Sequence, residues 1–394
     1  MRLTACLRFG AFACLMLLVA AGGAEALTFN VTYDASTASA PAAFFTAMGY
    51  AFQYYESLYT DPITINVHVG WGDINGSPLG AGSLGQSLTA QQGNFTYAQI
   101  RTALTNDAKT PQDAAAIATL PVADPTGGKS FVMSNAEAKA LGLLSGTNTA
   151  TDGWVGFSQT ASWTFDPNGR AMPGLVDFLG TAHHEITEVM GRYGYGQNGS
   201  GLRDSPIDLF RYAGANVRLF TPSFGGASNY FSIDQGATIV HGFNTVCCGD
   251  LSDWDGSAND SFNAFSFSAV KNPTTPGDRI LMDVLGYDRV QFTDSTLTPQ
   301  VTAIKVVHLI EVRTRVAQAR TRHGLGTYSY TQTIAAGLVV MATDMLETRA
   351  ALADIYLAMS AASPSYTFAP FAGVTIHAVD ITELRAFLES IEDG

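Results

Sequence analysis

Cysteine is scarce in this sequence, and its four cysteines fall in two places. Cys6 and Cys14 lie in the N-terminal segment, whereas Cys247 and Cys248 are adjacent. An adjacent pair forms a vicinal disulfide, an intermolecular bridge or two free thiols, so no disulfide framework is available to hold the fold. A chain of this length does not need one, because it can bury large hydrophobic cores.

Basic residues are also few: 21 lysines and arginines stand against 34 aspartates and glutamates, which gives a formal net charge of −13. Such a chain lacks the positive surface that binds nucleic-acid phosphates, so we expect no nucleic-acid partner. Acidity of this kind supports solubility and indicates no particular substrate.

Long apolar runs are absent as well. The N-terminal apolar stretch, residues 12–21, is too short to span a bilayer, and no later segment is long enough. Two arginines precede this stretch and Ala24-Glu25-Ala26 follows it, which is the pattern of a secretory signal peptide and its cleavage site. We therefore expect a signal peptide over residues 1–26 and a secreted, extracellular protein without a membrane span.

Three similar segments recur beyond residue 297 with a period of 36 residues: IKVVHLIEVR (304–313), VMATDMLETR (340–349) and IHAVDITELR (376–385). Their acidic and basic residues coincide at Glu311, Glu347 and Glu383 and at Arg313, Arg349 and Arg385. Each unit predicts an amphipathic helix after an extended linker, and stacked neighbours would bury the Ile, Val and Leu faces. We expect residues 297–394 to form a small all-α repeat module, similar to helical repeats appended to secreted bacterial enzymes, in which these Glu and Arg residues act as pairs or caps.

Residues 27–296 carry strand and helix patterns in alternation, which indicates an α+β domain. Alternating or continuous apolar residues predict strands at 27–33, 63–71, 153–158 and 162–166. Helical periodicity predicts helices at 40–59, 97–106, 111–118, 136–143 and 175–191. Beyond Gly191 the chain becomes irregular and rich in Gly, Asn, Asp and Ser, so we expect a loop-rich second half.

The segment TAHHEITEVMGR, residues 181–192, lies on the last of these predicted helices. His184 and Glu188 are four residues apart, so both can point at one metal ion, while Glu185, about 100° around the helix, reaches the open coordination position. A zinc ion there would lower the pKa of a water molecule to about 7, with Glu185 as the general base. The segment resembles the His-Glu-x-x-His helix of zinc peptidases, with Glu188 in place of the second histidine. A carboxylate ligand preserves the geometry but makes the ion a weaker Lewis acid.

Five ordered motifs extend this likeness. They are His184–Arg192, Asp208–Tyr212 (DLFRY), Phe231–Asp234 (FSID), Gly249–Trp254 (GDLSDW) and Asp283–Asp288 (DVLGYD). In this order they resemble a family of exported bacterial metalloproteases with a metzincin-like pattern. The resemblance implies a metzincin-like zinc peptidase domain with a central active-site helix, a Zn²⁺ cofactor and a protein or peptide substrate. Gly191 matches the glycine that bends the metzincin chain after this helix, whereas Gly194 stands where the third histidine ligand would be.

Another residue must therefore supply the third ligand. The resemblance favours Asp208, in the DLFRY motif, and gives Tyr212 the role of stabilising the oxyanion. Asp204, His183 and His241 remain alternative ligands, although His183 is about 100° off the ligand face and is better explained by packing. A thiolate of Cys247 is a further alternative.

Two interpretations without this zinc chemistry stay open. The acidic loop 249–260 can hold Ca²⁺ through its aspartates, although it lacks EF-hand spacing and a solvated loop is the simpler interpretation. Arg192 and Arg211 can instead pair with Asp208 or Glu188 in a buried ion network that needs no metal.

Together these features predict a secreted, zinc-dependent endopeptidase. The expected metal ligands are His184, Glu188 and Asp208, and the expected catalytic residues are Glu185 and Tyr212. The alternative is a catalytically silent metal-binding or surface-binding protein that keeps a metalloprotease-like fold and presents its repeats to a partner.

Overall fold

The computed structural model describes residues 26–194, 203–335, 337–369 and 375–392. The expected signal peptide, residues 1–26, therefore lies outside the described residues except for its last position. The described residues form the mixed α+β protein that the sequence predicts. None of the helices among them has the length and apolar character needed to cross a membrane.

The elements are numbered in chain order. The strands are β1 Thr28–Tyr33, β2 Thr64–Trp71, β3 Asp73–Ile74, β4 Ser77–Pro78, β5 Gly85–Thr89, β6 Gln91–Phe95, β7 Ser130–Ser134, β8 Gly153–Phe157, β9 Trp163–Thr164, β10 Val176–Asp177, β11 Arg203–Asp204, β12 Arg211–Gly214, β13 Val217–Arg218, β14 Tyr230–Phe231 and β15 His241–Gly242. The α-helices are α1 Ala42–Leu58, α2 Tyr97–Asp107, α3 Pro111–Ala118, α4 Asn135–Ala140, α5 Phe178–Val189, α6 Pro276–Val284, α7 Val306–Arg322, α8 Ala342–Ala358 and α9 Ala378–Ile391. Short 3₁₀ helices span Ala35–Ser39 and Pro206–Phe210.

The central sheet has the strand order β1-β2-β8-β5. The first three strands are parallel, whereas β5 runs antiparallel to β8. Strand β2 lies inside the sheet, and its Ile65, Val67 and Val69 are buried. Helix α5 packs along β8 and β5, which places the motif helix beside the antiparallel strand.

Aromatic side chains join the two long helices of the domain to this sheet. The ring of Phe44 on α1 lies 4.8 Å from Trp71, 6.0 Å from Phe157 and 5.4 Å from Phe178, the first residue of α5. Burial of an aromatic or large aliphatic side chain stabilises a fold by roughly 1.5–3 kcal/mol. The aromatic face expected for helix 40–59 therefore packs against the start of α5 through Phe44 and Phe178, and this contact helps to position α5.

The domain contains more strand structure than the sequence predicts, in its second half and also around residues 91–134. Strands β12 to β15 form a small sheet in the order β13-β12-β14-β15, and β6, β7 and β11 form another. All of these strands have only two to five residues, so their sequences carry too few alternating positions to be recognised. They position the loops on which several acidic residues lie.

Helices α7, α8 and α9 correspond to the three predicted repeats and have a separate hydrophobic core. Each of the three helices packs against the other two, so the repeats form a closed group and not an open stack. Phe292 and Leu297 belong to this core, so the module begins a few residues before the expected boundary at 297.

The recurring charged residues of the repeats form the pairs that were expected, whereas the glutamates contact the linkers and do not cap the helices. Glu311, Glu347 and Glu383 each accept hydrogen bonds from the backbone N–H and the hydroxyl of a threonine in the preceding linker. The arginines join successive units: Arg313 pairs with Asp344 at 3.1 Å, and Arg349 pairs with Asp380 at 2.8 Å. Arg385 closes the group by donating to the carbonyl oxygens of Thr293 and Asp294, both at 2.9 Å.

Candidate metal centre

Helix α5 is held firmly at both ends. Asp177 precedes it and forms a buried ion pair with Arg170 at 2.7 Å. At its other end Gly191 has a φ of 116°, and a Cβ there would lie 2.7 Å from Glu137 Oε2. Only glycine satisfies both conditions, so the expected bend at Gly191 has a backbone and a packing cause.

Three side chains with metal-ligating atoms converge on the buried face of α5. His184 Nε2 lies 3.4 Å from Glu188 Oε1 and 3.5 Å from Asp253 Oδ1. One donor atom from each of the three residues lies within 4.8 Å of the others. The helix thus brings His184 and Glu188 together as their spacing predicts, and Asp253 joins them from a loop 65 residues farther along the chain.

Neighbouring groups orient these donors. His184 Nδ1 donates a hydrogen bond to the carbonyl oxygen of Ser261 at 2.9 Å, which leaves Nε2 free to face Glu188 and Asp253. The hydroxyl of Ser87 on β5 donates to Glu188 Oε2 at 2.7 Å. The other oxygen, Glu188 Oε1, is buried and faces His184 Nε2 at 3.4 Å and the Arg192 guanidinium at 3.5 Å.

Arg192 provides most of the positive charge near the three donors. Its guanidinium donates to Asp253 Oδ1 at 2.6 Å and lies 3.5 Å from Glu188 Oε1. Burial by itself raises the pKa of the Glu188 carboxyl group. The opposing effects of His184, Arg192 and the hydrogen bond from Ser87 are larger and lower this pKa to about 2. Burial and Arg192 lower the pKa of His184, but Asp253 and Glu188 raise it more, to about 9. Without a metal, these residues form a compensated ion network in which His184 is protonated.

Glu185 is buried against the edge strand β5. A Cβ at Gly85 would lie 2.4 Å from Glu185 Oε1, so the absence of a side chain at Gly85 makes room for the carboxyl group. Burial raises the pKa of Glu185 well above its usual value, and the neighbouring Glu188 carboxylate raises it further. Since Gly85 and Ser87 are two residues apart on β5, one face of the strand contacts both glutamates of α5.

The structure places Asp208 and Tyr212 outside this group. Asp208 Oδ2 accepts hydrogen bonds from the backbone N–H of Ser205 at 3.0 Å and from its hydroxyl, and thereby caps the 3₁₀ helix Pro206–Phe210. Its Oδ1 faces the Arg211 guanidinium at 3.5 Å. The Tyr212 hydroxyl accepts a hydrogen bond from Arg218 at 2.7 Å, so it is directed toward β13 and not toward His184.

The alternative ligands are also directed elsewhere. Asp204 pairs with Lys129 at 3.0 Å. His183 is fully buried between Tyr54 and Tyr55, with ring centroids 4.9 and 5.3 Å away, which is the packing role that its helical position indicates. Cys247 and Cys248 form a vicinal disulfide, so neither presents a thiolate.

Asp253 belongs to the group around His184, but the sequence analysis did not predict it as a ligand. It belongs to the GDLSDW motif, for which we expected a solvated loop, with Ca²⁺ binding as the alternative. The aspartates of loop 249–260 do not gather around one ion, since Asp253 joins His184 and Glu188 whereas Asp260 lies with His241 and Asp278. The sequence did contain a sign of this role, because GDLSDW is one of the five ordered motifs. That sign identifies the loop but not which of its aspartates joins His184 and Glu188.

Two further groups in the described residues have donor atoms within 4.8 Å of one another. One consists of His241, Asp260 and Asp278, and the other of Asp61, Asp107 and Asp288. The chain thus contains groups of histidine and carboxylate side chains that can bind a metal ion.

The first group, His184, Glu188 and Asp253, can bind a metal ion, and its donor set and two of its separations are compatible with zinc. One imidazole nitrogen and two carboxylate oxygens are a donor set that zinc accepts. With bonds of 2.0–2.2 Å and tetrahedral angles, two ligand atoms on one zinc ion are separated by about 3.3–3.6 Å. The separations of 3.4 and 3.5 Å around His184 Nε2 lie in this range.

Comparisons with known proteins add no relative: no family model, curated protein or solved structure matches this chain. The likeness to exported metalloproteases therefore depends on the five sequence motifs alone, and the chemistry of the site depends on its geometry.

Proposed function

We propose that this chain is an exported, zinc-dependent endopeptidase whose metal ligands are His184, Glu188 and Asp253. The observation that carries the proposal is the convergence of these three donors beside the helix that also carries Glu185, with both carboxylates at zinc-compatible distances from His184 Nε2. The metzincin-like pattern of the sequence supports the same class of enzyme.

The chemistry divides between the ion and the chain's own residues. A bound zinc ion supplies Lewis acidity, which activates a water molecule and polarises a peptide carbonyl group. Glu185 accepts the proton from the water and then delivers it to the leaving amine, a role for which a raised pKa is suitable. Ser87 and Ser261 keep Glu188 and His184 in their ligand orientations.

Arg192 has a second effect in this proposal. With two carboxylates and a neutral imidazole, the ligand set would give a zinc centre no net positive charge, which weakens its Lewis acidity. The Arg192 guanidinium shares the charge of Asp253 and Glu188, so it offsets part of this loss. Arg192 thus makes an acidic ligand set compatible with turnover.

A catalytically silent binding protein is the second candidate function, and one observation favours it. Arg192 and protonated His184 already compensate Glu188 and Asp253, so the group can stabilise the fold as a buried ion network. The Tyr212 hydroxyl, expected to stabilise an oxyanion, is engaged by Arg218. In that case the repeat module would be the functional surface.

Zinc content and hydrolysis of unfolded casein, measured together on the mature protein, test the proposal. Glu185→Gln should keep its zinc and lose about 100-fold or more in activity, because general-base catalysis contributes about 10²–10⁴-fold. Asp253→Asn should lose one equivalent of zinc together with the activity. Asp208→Asn is the matched control and should keep this zinc, since Asp208 caps a 3₁₀ helix elsewhere.

The same experiment separates the alternatives. Mature protein without a stoichiometric divalent ion after refolding with zinc would contradict the metal centre. Zinc binding without any casein hydrolysis would favour the silent binding protein. Zinc lost from Asp208→Asn but retained by Asp253→Asn would return the third ligand position to Asp208.

A further inference from the structure

A second set of metal-ligating side chains lies between β15, loop 249–260 and helix α6. It consists of His241 on β15, Asp260 at the end of the loop and Asp278 in the first turn of α6. Asp260 is 1% exposed and Asp278 is fully buried, whereas the His241 side chain keeps 17% of its surface exposed. None of the three residues takes part in the centre around His184.

Asp260 directs an unpartnered oxygen into this group. Its Oδ1 accepts a hydrogen bond from the backbone N–H of Phe262 at 2.7 Å, which fixes the orientation of the carboxylate. Its Oδ2 is buried and receives no hydrogen bond from an N–H group or a hydroxyl of the described residues, and its carboxyl group lies beside that of Asp278. This oxygen lies 3.8 Å from His241 Nε2, slightly beyond the separation of about 3.3–3.6 Å between two ligands of one zinc ion. The Thr275 hydroxyl lies 3.4 Å from the same nitrogen.

The other two side chains are oriented by their surroundings. The His241 ring stacks on Trp254, with centroids 4.9 Å apart and planes inclined by 14°. Gly277 leaves room for this ring, because a Cβ there would lie 2.4 Å from His241 Nε2. Asp278 receives hydrogen bonds from Trp254 Nε1 at 2.6 Å and from the backbone N–H of Thr275 at 2.9 Å, and each of its oxygens retains a second lone pair.

Within the described part of the chain, no lysine or arginine lies at ion-pair distance from Asp260 or Asp278. The nearest basic influence is Arg192, whose pKa the charge of Asp278 helps to raise. The group at Asp61, Asp107 and Asp288 differs in this respect, since Lys109 pairs with Asp288. Two neighbouring buried carboxylates without a basic partner are stable when they share a cation or a proton.

We propose that His241, Asp260 and Asp278 bind a second zinc ion that stabilises the structure. The imidazole nitrogen favours zinc over calcium or magnesium, which prefer ligand sets made only of oxygen atoms. Stacking on Trp254 and hydrogen bonds to both aspartates supply the outer contacts that zinc ligands in proteins usually have.

This second ion would hold the loop that completes the first centre. Asp253 and the Ser261 carbonyl oxygen contact His184 in the first centre. Their chain neighbours belong to the second: Trp254 donates a hydrogen bond to Asp278, and Asp260 faces His241. A zinc ion bound by Asp260 thus fixes the end of the segment that positions Asp253. Loss of the second ion should weaken zinc binding at the first centre without removing any of its ligands.

Zinc stoichiometry of the full mature chain tests the proposal, measured by elemental analysis after gel filtration and by calorimetric titration with Zn²⁺. We expect two equivalents in the wild type and one in Asp260→Asn, whose remaining oxygen still accepts from Phe262. His241→Gln should also bind one equivalent, and it decides the question if Asp260→Asn fails to fold. Asp255→Asn, in the same loop but exposed, is the matched control and should bind two.

Thermal melting gives a readout that does not depend on activity. In a Glu188→Ala background, which lacks the first centre, zinc should still raise the melting temperature, and the added change Asp260→Asn should abolish this effect. Equal zinc content in Asp260→Asn, His241→Gln and the wild type would overturn the second site and indicate a shared proton. An unchanged zinc content in Glu188→Ala would contradict the first centre, and this result is independent of the result for the second.

Discussion

At the scale of single residues, the position of Glu185 depends on a neighbour that has no side chain. Gly85→Ala would place a methyl carbon 2.4 Å from Glu185 Oε1 and 2.8 Å from its Cγ, so the glutamate must move. Under the proposed function, we expect casein hydrolysis to fall at least about 10-fold while the zinc content stays unchanged. The overpacking should lower the free energy of unfolding by about 1–3 kcal/mol.

Gly49→Ala is the matched control for this substitution. Gly49 lies within α1, and a Cβ there meets no atom within 4 Å. This variant should keep full activity and gain about 0.5–1 kcal/mol of stability, as alanine does in a helix interior. Wild-type activity in Gly85→Ala would show that Glu185 does not need its present position.

The sequence predicted the local members of the centre better than the distant one. Four-residue spacing on a helix is enough to place His184 and Glu188 together, because the helical repeat fixes their common face. Asp253 comes from an irregular loop whose path depends on short strands and on the ion pair with Arg192. No local rule relates that loop to α5. The same limitation applies to Asp208 and Tyr212, which contact Ser205 and Arg218 and do not belong to the group around His184.

At the scale of elements, a group of acidic side chains joins the end of α2, the start of β2 and the segment after α6. Burial raises the pKa of Asp107 to about 8, with further contributions from Asp288 and Asp61. Burial and Asp288 raise the pKa of Asp61 to about 7. In the unfolded chain both groups have a pKa of about 3.9. The folded protein therefore holds protons that the unfolded chain releases, and stability falls as the pH rises from about 4 to 8.

Asp107→Asn should remove part of this pH dependence. The variant should be more stable than the wild type, and its advantage should grow by about 1–2 kcal/mol between pH 5 and pH 8, after allowance for the partial exposure of Asp107. Urea unfolding in calcium-free buffer at several pH values measures the difference. Parallel stability curves for the two proteins would mean that Asp107 is ionised in the folded state.

Elements with strong periodicity were predictable, and short polar ones were not. Helix α1 and strand β2 begin and end within about two residues of their expected bounds, because aromatic and β-branched residues recur at the proper intervals. Strand β5, with the sequence GQSLT, carries one large apolar residue and was missed. Its formation depends on pairing with β8 and on contact with α5, which are tertiary effects.

At the scale of the whole molecule, two hydrophobic cores meet near residue 290. The sequence repeats predict three helices. They do not predict that Arg385 on the last helix donates hydrogen bonds to Thr293 and Asp294, which precede the first helix, and thereby closes the group of three helices. The module touches the first domain at two places. At the end of α7, Arg322 donates to the Ser57 hydroxyl at 2.6 Å and His323 contacts the Tyr50 ring. After α9, the Glu392 carbonyl oxygen accepts from Arg279 of α6 at 3.4 Å. These contacts are few compared with those inside each core, so each part should fold on its own.

Truncation after Gln291 tests this independence. The cut keeps the hydrogen bond from the Val290 N–H to the Leu58 carbonyl oxygen but removes Phe292, which belongs to the module's core. We expect residues 27–291 to melt cooperatively and to keep their zinc, with a melting temperature about 2–6 °C lower because the surface around Tyr50 and Ser57 becomes exposed.

In the full mature chain, Arg385→Ala should lower only the transition of the module. A single shared transition that falls as a whole in Arg385→Ala, or a truncated protein that melts without cooperativity, would show instead that the repeats are part of one folding unit with the metal centre.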